Sequence, residues 1–161
     1  MQSYNVRSFS AVADATVLAA LQGGLDLPGG FGIVLTSATE EVDSFGHVNH
    51  TVYARWMEAC AWAHSAHVGL SQTRCCGLNR GMVMGSLKVE YLAAAGASQT
   101  VVVMNWITAV NRLRAERRFQ VFDLERSTVL ARGHAHYVCV DLSSGAPVRM
   151  PAEFQQGYVV S

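Results

Sequence analysis

The sequence is short of charge and has no long apolar run. Charged residues fill only 15% of its 161 positions, and twelve Lys and Arg residues balance twelve Asp and Glu residues. Without a net charge, no global field favours binding to DNA, RNA or an anionic membrane. No apolar run approaches the roughly 18–20 residues of a membrane span. We therefore expect no nucleic-acid partner and no membrane partner, and the scarce surface charge indicates that another subunit covers part of the exterior.

A disulfide framework and a secretory signal are also missing. The chain has four cysteines, at Cys60, Cys75, Cys76 and Cys139. None belongs to a C-x-x-C pair, and two adjacent cysteines are a poor start for a set of disulfides. The first basic residue is Arg7, and Asp14 interrupts the apolar stretch that follows, which is not the charge layout of a secretory signal. These features predict a reduced, cytoplasmic protein.

The remaining composition suits one domain preceded by an extension. Hydrophobic residues make up 50% of the chain, which is enough for a substantial core at this length. Residues 1–30 are predicted to form an N-terminal extension with a short helix near Ala11–Leu21. Pro28, Gly29 and Gly30 then interrupt regular structure. Residues 31–161 are predicted to form the domain itself.

The domain pattern predicts one long helix and about five strands. Thr51–Val68 contains no Gly or Pro and is rich in Ala, and Asn49 before it is a good N-cap, so a helix is favoured. A shift of alternation between Val121 and Phe122 predicts a bulge. Short turns separate the later strands, which predicts antiparallel neighbours and an α+β fold with the sheet around one central helix. The predicted strands are Phe31–Val42, Met82–Leu92, Gln99–Val110, Arg117–Glu125 and His134–Asp141.

The segment between the first strand and the helix carries a specific motif. Residues 43–58 read D-S-F-G-H-V-N-H-T-V-Y-A-R-W-M-E. This motif resembles the start of the central helix in the hotdog-fold acyl-CoA thioesterases of the 4-hydroxybenzoyl-CoA thioesterase and YbgC-like type. The stretches Lys88–Leu92 and His136–Asp141 also resemble this family, so the resemblance covers about residues 31–155. It implies a hotdog fold, in which the antiparallel sheet wraps the central helix.

The resemblance implies that Asp43 is the catalytic carboxylate, as nucleophile or as general base, and that His50 orients substrate or water. Thioester hydrolysis also needs stabilisation of negative charge on the carbonyl oxygen. Free backbone N–H groups at residues 50–53, assisted by the helix dipole, are predicted to supply it. The residues expected to form this oxyanion and positioning site are Gly46, His47, Asn49, Thr51, Val52 and Tyr53. A helix carboxylate after a His-Gly-Gly turn, the other layout known in this fold, is absent.

Each of these residues also has a purely structural explanation. Asp43 can cap a turn, because Asp is a common turn residue. His50 can be an ordinary first-turn residue, and for Asn49 the helix cap explains the residue type as well as a substrate contact does. The motif as a whole is therefore a stronger indication than any one of its members.

Side chains further along the helix are expected to shape the acyl pocket or the core. Tyr53, Trp56 and Met57 are the candidate walls, with Trp56 and Met57 assigned to the acyl pocket. Glu58 is expected to pair with Arg55 or with a neighbouring subunit. His64 and His67 lie three residues apart, but no matching carboxylate-rich segment is evident, so no metal site is predicted.

Arginines are the candidate ligands for the phosphates of coenzyme A (CoA). Eleven arginines stand beside a single lysine. Four of them crowd one predicted hairpin, namely Arg112, Arg114, Arg117 and Arg118. Guanidinium groups suit phosphates well, although a solvated turn that keeps the protein soluble explains the same cluster. CoA would belong to the substrate, so no separate cofactor is expected.

These observations predict an acyl thioesterase acting on an acyl-CoA or acyl carrier protein thioester. The alternatives are a hotdog hydratase or dehydratase, in which Asp43 and His47 imitate the catalytic pair, and a non-catalytic acyl-CoA-binding protein. The low charge and the resemblance together predict a homodimer that can pair again into a homotetramer.

Overall fold

One long helix lies against one face of an antiparallel sheet. The structure is a computed structural model that describes residues 7–10, 15–21 and 23–161. Its strands are β1 (Arg7–Ser10), β2 (Phe31–Thr36), β3 (Arg80–Tyr91), β4 (Thr100–Val110), β5 (Arg114–Asp123) and β6 (Thr128–Asp141). Its helices are α1 (Ala15–Ala20), α2 (His50–His67), α3 (Gln72–Gly77) and α4 (Ala152–Gly157), and a 3-10 turn spans Thr39–Glu41.

The strand order fixes which edges of the sheet are open. All neighbours pair antiparallel in the order β1-β2-β4-β5-β6-β3. Short turns join β4 to β5 and β5 to β6, which is possible because these neighbours are antiparallel. Within the described residues, β1 and β3 are therefore the edge strands. This is the hotdog arrangement expected from the sequence, and β1 adds a strand from the N-terminal extension.

Helix α2 begins and ends where the sequence predicts, to within one residue. Asn49 caps it, because the Asn49 side-chain oxygen accepts a hydrogen bond from the Thr51 N–H at 3.0 Å. Gly69, with a φ of +86°, follows its last turn and stops the helix. Its apolar side chains pack on the inner face of the sheet, in one cluster that includes Val52, Trp56, Met57, Cys60, Ile33, Val101, Val103, Phe119 and Val121. Burial of this helix face is the main source of stability for α2.

The opposite face of the sheet is covered by part of the extension. Val17 and Leu21 pack against Trp106 and its neighbours on β4. The Trp106 indole N–H donates to the Gly29 carbonyl at 3.0 Å. Gly30 has a φ of +92°, and a Cβ there would lie 2.5 Å from the Trp106 nitrogen, so only glycine fits. The predicted division of the chain at residue 30 stays a prediction.

Several local expectations are refined by the structure. The bulge predicted at Val121 and Phe122 is confirmed by a register shift between them. The first predicted strand is shorter than expected, because the chain turns into the 3-10 helix after Thr36. Helices α3 and α4 were not expected, since six residues are too few to show a helical period. Of the helix predicted near Ala11–Leu21, residues 11–14 lie outside the described residues. No described helix combines the length and the apolar content needed to cross a bilayer.

Candidate active site

The Asp43 segment forms a tight turn immediately before α2. The Asp43 N–H donates to the His47 carbonyl at 2.8 Å, and the Gly46 N–H donates to the Asp43 carbonyl at 3.0 Å. Gly46 has a φ of +80°, in the left-handed region that favours glycine. The Val48 N–H donates to the Ala95 carbonyl at 2.8 Å, which ties the turn to the loop after β3. These bonds hold Asp43 beside the first residue of the helix.

Asp43 and His50 line the same open cavity, which has a volume of about 350 Å³. Asp43 is half-buried, and its Oδ1 accepts a hydrogen bond from the Phe45 N–H at 2.9 Å. The turn-capping role considered for Asp43 is therefore real. No described residue donates to its other oxygen, Oδ2, so a carboxylate oxygen is left to face a substrate. The other lining residues are Val48, Tyr53, Tyr91, Leu92, Ala93 and Ala94.

Two tyrosines support the His50 side of this cavity. The Tyr91 hydroxyl donates to the His50 carbonyl at 3.0 Å, and the two rings meet edge to face with centroids 6.3 Å apart. Tyr53 packs edge to face on Tyr91 and accepts a hydrogen bond from the Ala95 N–H at 3.1 Å. Burial raises the pKa of both phenols, so both remain protonated at neutral pH. Sequence reasoning gave Tyr91 no site role, because only the pairing of β3 with β6 carries its end to the start of α2.

The start of α2 offers fewer free N–H groups than expected. Asn49 accepts hydrogen bonds from the Thr51 N–H through its side chain and from the Val52 N–H through its carbonyl, at 3.0 and 2.9 Å. The prediction that Thr51 and Val52 donate to an oxyanion is therefore wrong in this conformation. The His50 N–H has no partner among the described residues. It remains available at the positive end of the helix dipole.

Three further predicted site residues do not reach the cavity with their side chains. His47 is exposed, and the contact it makes to Asp43 uses its backbone carbonyl. Trp56 and Met57 are both 0% exposed and belong to the core against the sheet. The acyl-pocket role predicted for these two side chains is therefore not what the structure shows. The cavity walls come from Tyr53 and from the residues around the end of β3.

The expected pairing of Glu58 with Arg55 is also wrong. Arg55 instead lies 3.6 Å from the carboxylate of Glu41, which is almost fully buried. Glu41 precedes Asp43 by two residues, so this ion pair links α2 to the chain that enters the catalytic turn. Glu58 points elsewhere and lines a second cavity further along the helix.

The predicted arginine cluster is divided by the alternation of β5. Arg112, Arg114 and Arg118 are exposed, but Arg117 is 3% exposed and points toward α2. Of the four candidate ligands for the CoA phosphates, Arg117 is therefore turned away from the surface that the other three share. The hairpin between β4 and β5 also lies at the far end of β4 from the Asp43 turn, because Thr36 pairs with Thr100 and Val110 with Ala115. The ten residue steps from Thr100 to Val110 span about 34 Å.

A group of side chains on the outer face of the sheet has the donor spacing of a metal site. Glu116 lies 3.3 Å from His134 and 3.5 Å from His136, and the ligand atoms of all three lie within 4.8 Å of one another. His64, one of the histidines weighed as a ligand from sequence, instead hydrogen bonds to Arg117 at 2.8 Å. All four cysteines are free thiols. Burial raises the pKa of Cys60 to about 12, so its thiol is not an activated nucleophile.

An antiparallel sheet around one helix, with an Asp and a His gathered at the helix start, defines a protein of the hotdog class. The sequence model of the thioesterase-like superfamily matches residues 37–157, which is most of the chain. The chain therefore belongs to the thioesterase-like superfamily. The match includes the Asp43 turn, α2 and all of the sheet from β3 onward.

Solved structures share this fold at low sequence identity. A 1,4-dihydroxy-2-naphthoyl-CoA thioesterase from Synechocystis has a TM-score of 0.74 and 18% identity, over 81% of this chain and 96% of its own. A DHNA-CoA thioesterase from Staphylococcus aureus has a TM-score of 0.74 and 20% identity, over 79% of this chain and 87% of its own. A Staphylococcus aureus protein solved in complex with CoA has a TM-score of 0.74 and 14% identity, over 78% of this chain and 79% of its own. Comparison with curated proteins finds no match.

Proposed function

We propose that this protein hydrolyses an acyl thioester of CoA or of an acyl carrier protein to the free acid and the thiol. The observation that carries the proposal is the joint placement of Asp43 and His50 on one open cavity at the start of α2. Membership of the thioesterase-like superfamily supports it. CoA thioesterases among the structural neighbours, and one neighbour with CoA bound, favour CoA as the carrier.

Two routes fit the geometry of Asp43. As a general base, Asp43 takes a proton from a water molecule while the water oxygen attacks the thioester carbonyl, and collapse of the tetrahedral intermediate breaks the C–S bond and expels the thiolate, which takes the proton. As a nucleophile, its oxygen attacks the carbonyl, forms a mixed anhydride and expels the thiolate. Water then hydrolyses the anhydride to two carboxylates, and of the two protons released one goes to the thiolate and one to solvent. The His50 N–H stabilises the oxyanion in both routes. Neither route requires a metal or a redox cofactor.

The hydratase alternative is less consistent with the site. That reaction needs an Asp and a His acting together on one substrate, and the sequence offers Asp43 and His47 for it. His47 is exposed and is absent from the residues that line the Asp43 cavity. His50 does line the cavity, which favours the hydrolytic assignment of this pair.

We also propose that the active form is a homodimer, able to pair into a tetramer. β3 is an edge strand, and it carries exposed apolar residues at Val83 and Tyr91, which a second copy would cover. Arg112 and Arg114 lie at the opposite end of the sheet from Asp43 in the same protomer. We assign them to the CoA phosphates of a substrate held by Asp43 of the partner, so that each site draws on two copies.

A thiol-release assay across short, long, branched and aromatic acyl-CoAs tests the proposal. We expect release from at least one class, and no loss of the enoyl absorbance from an enoyl-CoA beyond the loss that thiol release accounts for. Enoyl hydration without thiol release would identify the hydratase instead. Tight binding of an acyl-CoA without turnover would identify a binding protein. Light scattering that gives a monomer mass at full activity would contradict the shared site.

A further inference from the structure

A buried arginine without an acidic partner lies beside the second cavity. Arg117 is 3% exposed, yet no carboxylate of the described residues lies within 4.0 Å of its nitrogens. Its Nη1 donates to Asn105 at 2.6 Å and to His64 at 2.8 Å, and its Nη2 donates to Ser65 at 3.2 Å. A charge held away from water is costly unless an opposite charge compensates it. The fold therefore holds an uncompensated positive charge at this position.

The groups that hold Arg117 are neutral. Burial, followed by the nearby Arg117 charge, lowers the pKa of His64 to about 3, so its ring nitrogen Nδ1 accepts a hydrogen bond without carrying charge. The rings of Tyr137 and Tyr158 lie 5.7 and 5.1 Å from the guanidinium carbon and add only cation–π attraction. The three hydrogen bonds use three of the five guanidinium N–H groups. The Nε–H and one Nη2 hydrogen stay available, and together they form the edge that a carboxylate binds with two oxygens.

The cavity beside this guanidinium has about 240 Å³ of volume and lies between α2 and strands β3, β5 and β6. Met82 and Met84 give it apolar walls. Tyr137, which is 8% exposed, lines the same space, and its hydroxyl is buried without a hydrogen-bond partner among the described residues. A buried hydroxyl normally has a partner, because leaving it unpaired costs free energy. Burial raises the pKa of Tyr137 to about 12, so this hydroxyl is a donor at neutral pH.

We propose that this cavity binds a carboxylate carried on a small apolar body, with the Arg117 edge and the Tyr137 hydroxyl as donors and the methionines around the apolar part. A carboxylate supplies the missing negative charge and accepts the unused N–H and O–H donors at once. The ligand is a free carboxylic acid, because Ser65 beside Arg117 lies fifteen residues, or about 22 Å, along α2 from His50, and a short acyl group held at Asp43 does not span that distance. This proposal does not rest on the proposed thioesterase function.

Glu58 distinguishes this proposal from a purely structural explanation of Arg117. Glu58 also lines the cavity but is exposed and lies more than 4.0 Å from the guanidinium. If Glu58 were the counter-ion, Glu58→Gln would lower the melting temperature and leave the binding of added acids unchanged. If the cavity binds carboxylates, Glu58→Gln removes a like charge beside the ligand, so affinity for acids rises and stability changes little.

The first experiment measures binding by isothermal titration, without turnover. Benzoate, phenylacetate and hexanoate are compared with their neutral amides up to about 10 mM, which detects weak affinities. We expect at least one acid to bind and its amide to bind at least about tenfold more weakly, because the amide lacks the charge. No binding by any acid, or equal binding by acid and amide, overturns the proposal.

Tyr137→Phe is the informative variant, because the hydroxyl it removes has no partner in the free protein. We expect an unchanged or higher melting temperature together with roughly 10-fold to 100-fold weaker binding of the acid. Tyr158→Phe is the matched control. The Tyr158 hydroxyl shares a 2.9 Å hydrogen bond with Ser65, so removing this hydroxyl should lower the melting temperature by about 2–4 °C. Unchanged acid affinity in Tyr137→Phe overturns the proposal.

A second experiment separates this cavity from the Asp43 site. Thiol release is compared between adipoyl-CoA and hexanoyl-CoA, which differ in a terminal carboxylate. Tyr137→Phe should lose affinity for the free acid and leave the ratio of these two rates unchanged, because about 22 Å of α2 separates the cavity from His50. A changed ratio would overturn the assignment of the cavity to a free acid. Absence of thiol release from every thioester would refute the proposed function and leave the binding result standing.

Discussion

The substitution Asp43→Asn distinguishes a catalytic role of the Asp43 carboxylate from its structural role as a turn cap. The Phe45 N–H bonds to Asp43 Oδ1 at 2.9 Å, and an asparagine keeps an oxygen at that place, so the turn before α2 should persist. The stability change should stay within about 0.5 kcal/mol, because the two side chains are nearly isosteric and the hydrogen bond to Phe45 is kept. Loss of a positioned acid–base group lowers turnover by about 10²–10⁴-fold, or about 2.7–5.5 kcal/mol of activation free energy.

Three variants measured together make this test decisive. Thiol release gives kcat, and thermal unfolding gives the melting temperature. Asp43→Ala removes the cap as well as the charge, so it should also lower the melting temperature by about 1–6 °C. Ser44→Ala, at an exposed neighbour in the same turn, should change neither. If Asp43→Asn retains turnover within about threefold of the wild type, Asp43 is a structural residue and the mechanism is refuted.

Three other predictions address the turn, the carrier and the pH dependence. Gly46→Ala forces a left-handed φ of +80° on a residue with a Cβ, at about 1–2 kcal/mol, so the melting temperature should fall by about 2–8 °C; an unchanged value would contradict this. Arg112→Ala combined with Arg114→Ala should raise KM for acyl-CoA and leave kcat nearly intact, and it should weaken the salt dependence of KM. An unchanged KM would show that the CoA phosphates bind elsewhere on the surface. Because the pKa of His64 is about 3 in the fold and 6.5 in the unfolded chain, the unfolded chain binds an extra proton below pH 6.5. The free energy of unfolding should therefore fall with decreasing pH, by up to about 1.4 kcal/mol per unit between 6.5 and 3, and His64→Gln should remove this slope.

The sequence by itself determined the features that depend on neighbouring residues. Asn49 and Gly69 bound α2, because helix caps act within one turn of the chain. Asp43 and His50 line one cavity because only a short turn separates them along the chain. The bulge at Val121 and Phe122 is visible as a shift in alternation, which is also a local property. The family motif falls in this same short segment.

Tertiary structure decided which distant side chains share a site. Tyr91 reaches His50 only because β3 crosses to the far edge of the sheet and pairs with β6. Arg117 is buried because the face of β5 that carries the odd-numbered residues packs against α2 at this point. The sequence shows a run of arginines but not which face of the strand lies against the helix. Arg55 pairs with Glu41, and not with Glu58, for the same reason. Such pairings depend on strand register and on the path of the connecting loops, which the local pattern of residues does not encode.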